Sequence, residues 1–336
     1  MITPIARSVV GSPMLQNLDL KTEIKHQRAT GTLPGMLSFW ERSMLHALAA
    51  RTWRGDGTII DGGSFFGSSL VATASGLRAN PVTAGVDMTR FPGGKPVHGY
   101  ELGFLPAPGS DKVDPHREFG GVKYKLGDSF VPILQDNIAP YNDLIDLHIG
   151  DLNEERWDGS PIEIAFIDVC KTARLNAHVS TQFYPAMIPG NSTLINQDFF
   201  FDRLPWVKVT MGYLKDYYRW EGQVFTSSIY SSVKAVPQDV ADYDPYTEAS
   251  YEECLAYHDA VEFPGIERKW QFFLALSRGY LMALKHRKDD ALGHLRAVQD
   301  DYADILGDLE ENPRGNQFRL DRAVRQISNG NIFKVS

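Results

Sequence analysis

Apolar strands ending on acids, alternating with helices, predict an α/β protein with a doubly wound, mostly parallel sheet. Three stretches carry this reading: TIIDGG at 58–63, IEIAFIDV at 162–169 and STLINQD at 192–198. The second is an apolar run, Glu163 apart, closed by Asp168, the pattern of a strand buried on both faces. Ligands of such sheets collect outside the carboxyl ends of the strands. The strand-closing acids Asp61, Asp87, Asp151, Asp168 and Asp198 are therefore predicted along one edge.

Residues 1–35 contain many turn formers and are predicted to be an irregular N-terminal arm. From Met36 the spacing of Met36, Leu37, Trp40, Met44, Leu45 and Leu48 predicts a helix. Its start is marked by Ser38 and Glu41 in capping-box positions. The strand at Thr58 follows, then the turn DGGSFFG and a helix, SSLVATASGLRAN. VTAGVDM is predicted to be the second strand, ending at Asp87, and residues 90–127 a lid or substrate loop. A helix over DSFVPILQDNIAPY, capped by Asp128 or Ser129, leads to the strand LIDLHIGD. After IEIAFIDV come the helix LNAHVSTQFYPAMI, the strand STLINQD, the helix WVKVTMGYLKDYYRW and β-structure at VFTSSIYSSVKAV. The α/β domain is placed at 36–238. Helical periodicity over 239–336 predicts a cap or a dimerisation element, and hence a possible homodimer.

Composition narrows the function. A net charge of -8 on 336 residues argues against a nucleic-acid partner, whose footprint would be basic. No apolar stretch reaches the ~20 residues of a membrane span, and the N-terminus lacks the pattern of a signal peptide. Two cysteines, Cys170 and Cys254, suit a reducing compartment and buried thiols. A cytoplasmic protein without a membrane partner is expected.

Glycines at 62, 63 and 67 behind Asp61 allow close approach of backbone to a ligand, or simple packing of a strand-to-helix turn. The turn lacks the Lys-Ser/Thr ending of a phosphate-binding loop and the GxGxxG spacing. Asp87 suits ribose hydroxyls or a loop cap, and Asp151 an adenine amino group or a turn cap. Lys171 suits substrate orientation or a solvated helix start. His98 and His116 in the loop, and His178 on a helix, belong to no motif. Asn196 with Phe199–Phe201, and Tyr217, Tyr218 and Trp220 on the following helix, suit a pocket wall or the core.

The ordered set DGGSFFG, GVDM, HIGD, FIDV and INQD resembles a class I S-adenosylmethionine-dependent methyltransferase. Within that superfamily, LPGMLSFWERSMLHAL and FYPAMIPGNSTLINQDF are similar to the macrocin O-methyltransferase-like group. The resemblance spans about residues 35–237 and implies a Rossmann-like, seven-stranded sheet. It implies S-adenosylmethionine as cofactor, with Asp61, Gly62, Gly63, Ser64 and Gly67 at its methionine part, Asp87 at the ribose and Asp151 at the adenine. It implies O-methylation of a small acceptor such as a sugar or natural-product intermediate, with Asp168 and Lys171 as catalytic residues. It further implies a divalent metal, Mg2+, at Asp168 and the Gln197-Asp198 pair, where Gln197 replaces an acid and removes a charge. The competing expectations are a non-catalytic binding or assembly subunit on the same fold, and a nucleotide-sugar enzyme on a similar sheet.

Overall fold

Among the described residues of the computed structural model, eight of ten strands form one sheet. Described are residues 9–29, 35–105, 116–119, 122–125, 127–307 and 315–332. Parts of the expected arm and of the expected lid loop lie outside them, as does the side chain of His116. The strands are β1 (Val9–Gly11), β2 (Thr58–Gly62), β3 (Val97–Glu101), β4 (His116–Phe119), β5 (Val122–Lys125) and β6 (Ile145–Ile149). They continue with β7 (Ile162–Ile167), β8 (Thr193–Asn196), β9 (Tyr218–Val224) and β10 (Ser227–Ser232). The sheet order is β1-β9-β10-β8-β7-β2-β3-β6, and β4 pairs with β5 as a separate hairpin. Strands β6, β3, β2, β7 and β8 run parallel; β10, β9 and β1 add an antiparallel end. The resemblance implied seven strands. The eighth is Val9–Gly11, which pairs with β9 at the sheet edge.

Residues on successive strand positions feed two cores. Ile59, Val97, Ile145, Ile164 and Phe166 pack under the helices Phe39–Arg51, Ser68–Ala79 and Val131–Ile138. Ile60, Ile162, Ala165 and Ile167 face the helices Ala173–Phe183 and Pro205–Tyr213. The same second core runs on without interruption into Phe272, Leu276, Leu281, Leu295 and Leu320 of the C-terminal helices Arg268–Leu284, Lys288–Asp301 and Asn316–Ser328. The arm is more regular than its turn formers suggested. Leu20–Ala29 is a helix, and Leu15, Leu18 and Leu20 are buried against Met44 and Leu48.

Two expectations fail around residue 90. VTAGVDM is not a strand: Thr83–Gly85 and Met88–Arg90 are short 3-10 turns. The Asn80 side chain donates to the carbonyls of Ala49 and Trp53 and accepts from the Val82 amide, while the Thr83 hydroxyl donates to Leu77. These local bonds outcompete the β preference of two valines and a threonine. The parallel strand is instead VHGYE, inside the stretch read as loop. Gly99 explains its disguise. A Cβ there would lie 2.9 Å from both Leu70 methyl groups, so the glycine lets the Ser68–Ala79 helix press onto the sheet. The antiparallel end differs too: Tyr218 and Trp220, expected on a helix, lie on β9.

Candidate functional site

The chain runs from β2 to β3 and β6 on one side, then crosses to β7 and β8 on the other. The carboxyl ends of β2 and β7 therefore flank the point where strand order reverses, the customary ligand crevice of an open sheet. Asp61 closes β2 there, at 1% exposure. Its Oδ1 accepts a hydrogen bond from Ser64 Oγ at 3.2 Å, while Oδ2 is buried without a partner in hydrogen-bond geometry. Burial pushes this carboxyl up to about 7; the Ser69 and Ser64 hydroxyls pull it down, and Asp168 and Glu101 add repulsion.

The glycines of the turn have an internal purpose. Gly63 has φ +98, and a Cβ on it would lie 3.1 Å from the backbone of Asp168 and 3.0 Å from Val169. Gly67, at φ +85, would strike Leu134 and Ile138 at 2.9 Å. The close approach foreseen in the sequence is thus satisfied by the chain itself: the ends of β2 and β7 meet at Gly63. Phe65 adopts φ +48, unusual for an aromatic residue. Stacking on Phe66 at 4.1 Å and a hydrogen bond from its own amide to Glu101 Oε2 at 2.6 Å hold it there.

Glu101, at the end of β3, was missed. It accepts from the Phe65 and Gly103 amides, and burial raises its pKa. It occupies the strand-end position assigned to Asp87, and VHGYE carries no clean period that would have marked it in the sequence. Asp87 itself is exposed and caps a 3-10 turn through the Thr89 amide and hydroxyl. Asp151 follows β6 and caps Leu152–Glu154 through Asn153.

Asp168, Gln197 and Asp198 do converge, on the ammonium of Lys171. Lys171 Nζ lies 2.5 Å from Asp168 Oδ1, 2.7 Å from Asp198 Oδ2 and 3.4 Å from Gln197 Oε1. Burial disfavours the charge on Lys171, but the two carboxylates outweigh it and hold its pKa above the ordinary lysine range. Asp168 is pushed up to about 7 by burial, against the pull of Lys171 and with repulsion from Asp198 and Glu41. Two carboxylates and a glutamine are oxygen donors suited to Mg2+. However, the centre between them is filled by a covalently tethered cation, so a divalent ion fits only with Lys171 turned out. Asp198 has φ +57, a second strained non-glycine residue at this edge.

A second ring of polar groups backs this centre. Gln197 Nε2 donates to Thr226 Oγ1 at 3.3 Å, and the Thr226 and Ser227 hydroxyls donate to Glu41 Oε1 at 3.1 and 2.8 Å. Glu41 also completes the predicted capping box with Ser38. One residue thus caps the start of a helix and anchors the β9–β10 turn behind the site. Capping was legible; the second role was not.

The remaining candidates lie elsewhere. His98 is buried in β3 and faces β6, and His178 contacts the Glu155 carbonyl at 3.1 Å. Phe199 and Phe200 are wholly buried in the core, and Asn196 pairs with the Tyr184 hydroxyl at 3.5 Å. Cys170 and Cys254 are buried free thiols, Cys170 pushed up to about 12 by burial. Among the described residues no helix is long and apolar enough to cross a membrane. In comparison with known proteins, no family matches the chain in sequence, and no curated protein does.

Proposed function

We propose that this protein is an S-adenosylmethionine-dependent methyltransferase acting on a hydroxyl of a small molecule. The observation that carries the reading is the meeting of three buried or half-buried acids from separate strands, Asp61, Glu101 and Asp168, around the reversal of strand order. The motif order DGGSFFG, HIGD, FIDV and INQD supports it. When bound, the cofactor supplies an electrophilic methyl group on a sulfonium. Asp61 offers a desolvated, unpartnered carboxylate oxygen to a cationic group, and Glu101 replaces Asp87 as the acceptor for ribose hydroxyls. O-methylation requires the acceptor hydroxyl to lose its proton during attack. Asp168 holds that proton: its side chain is one-fifth exposed and its pKa of about 7 matches neutral pH. Lys171 steadies the resulting oxyanion in the position where a metal would otherwise act.

A non-catalytic binding subunit is the second reading. Its support is the same ion pair, because Lys171 occupies Asp168 Oδ1, the atom a substrate proton would need. Titration calorimetry with S-adenosylmethionine and S-adenosylhomocysteine tests the cofactor assignment. One site per chain is expected, at least about tenfold weaker in Glu101→Gln and unchanged in Asp87→Asn. Folded protein that binds neither compound would overturn the proposal. Binding without turnover over a panel of hydroxylated acceptors would favour the second reading.

A further inference from the structure

Away from the carboxyl edge, three ligand-bearing side chains meet where β3 lies beside β6. The parallel register sets His98 against Asp146, and Asp146 and His148, two residues apart, share a face. His98 Nδ1 lies 3.0 Å from His148 Nε2, which lies 3.7 Å from Asp146 Oδ2. One atom of each residue falls within 4.8 Å of the other two. His98 Nε2 is 3.2 Å from the Lys95 carbonyl. A carbonyl only accepts, so Nε2 bears the proton and Nδ1 turns its lone pair into the cluster, as in metal-bound histidines. His98 is 2% exposed, with Trp157 edge-on at 5.5 Å, and Tyr100 stacks on His148 at 4.7 Å. Both rings are therefore held in place. Gly93, at φ +60, leaves the far side of Asp146 open: a Cβ there would lie 3.0 Å from Oδ2.

We propose that His98 Nδ1, His148 Nε2 and the Asp146 carboxylate bind one divalent transition-metal ion of the zinc type. Zinc–nitrogen bonds of about 2.0–2.1 Å in a tetrahedron put two nitrogens about 3.3 Å apart, within a few tenths of an ångström of the separation seen. Two imidazoles and one carboxylate favour such ions over Mg2+ and leave a fourth position for water. Without metal, the proton between the rings sits on His148 Nε2 and is donated to His98 Nδ1. The ion takes its place at Nε2, and the proton moves to Nδ1 of the same ring, so His148 binds as the neutral imidazole with no net proton released. Lys95 Nζ, 4.0 Å from Asp146 Oδ1, is the resident counter-charge and must yield. A bound ion would clamp β3 to β6, a strand whose other side has no partner strand among the described residues.

Zinc titration of the full chain after chelator treatment tests this, with cobalt as the spectroscopic probe. One ion per chain is expected by calorimetry, with visible cobalt bands. His148→Gln and Asp146→Asn should each weaken binding more than about 100-fold, beyond the loss usual for outer contacts. Lys95→Ala should tighten it, an outcome that misfolding does not mimic, and Asp168→Asn should leave it unchanged. No stoichiometric zinc binding, or binding indifferent to His148→Gln and Asp146→Asn in folded protein, would reduce the cluster to a hydrogen-bonded histidine pair.

Discussion

The unpartnered oxygen of Asp61 has a consequence for stability. Its folded pKa of about 7 lies above the value of about 3.9 for a free aspartate. The folded state therefore binds more protons than the unfolded chain between those values, and stability falls as pH rises through that window. Roughly three pKa units at about 1.4 kcal/mol each give a burden of about 4 kcal/mol once Asp61 is ionised. Asp61→Asn should thus match the wild type near pH 4 and become more stable than it by pH 8, in urea melts across pH. A difference that stays flat with pH would mean that Asp61 does not titrate in this range. A ligand that places a positive group on Oδ2 should remove the effect. At this scale the sequence was informative about which acids matter but not about their partners. Asp61 and Asp168 were legible because each closes an apolar run. Lys171 was named beside Asp168, but its place between Asp168 and Asp198 was not legible, because a lysine three residues past a strand end also reads as a solvated side chain.

Elements were legible where one period dominated. The Phe39–Arg51 helix declared its start through Ser38 and Glu41, and β7 declared itself by a largely apolar run closed by Asp168, all six of its residues being buried. β3 was hidden because Gly99 and His98 interrupt its apolar pattern, and both reflect tertiary neighbours that no local window contains. The dual role of Glu41 gives this scale its prediction. Ser38→Ala removes a helix cap and should cost about 1 kcal/mol. Glu41→Ala also strands the Ser227 hydroxyl, which is fully buried, and frees the β9–β10 turn. Its cost should exceed that of Ser38→Ala by about 1–2 kcal/mol in denaturant melts. Equal costs would show that the link from helix to turn contributes nothing to stability.

Over the whole molecule, the C-terminal helices share the core of the sheet, and one charge cluster ties them to the site. Asp202, four residues beyond Asp198 and fully buried, pairs with Arg319 at 3.2 Å and with Arg322 on the helix Asn316–Ser328. Breaking a buried pair from one side typically costs about 3–5 kcal/mol. Asp202→Ala should cost that much, and in thermal melts sheet and helices should unfold in a single transition. Two separate transitions would mean that the helical region is an independent unit. Its periodicity was legible in the sequence; its attachment was not, since the contact joins residues more than a hundred positions apart. That separation also has a meaning in time. A chain made from its N-terminus has completed β8 long before Arg319 and Arg322 exist, so Asp202 lacks both of its direct ion-pair partners at that stage, with only the charges of Arg203 and Lys208 nearby. The edge carrying Asp198 gains those two ion pairs only when the helix Asn316–Ser328 has left the ribosome. Truncation before residue 316 should therefore leave a nascent chain that stays open and protease-sensitive on its carboxyl side.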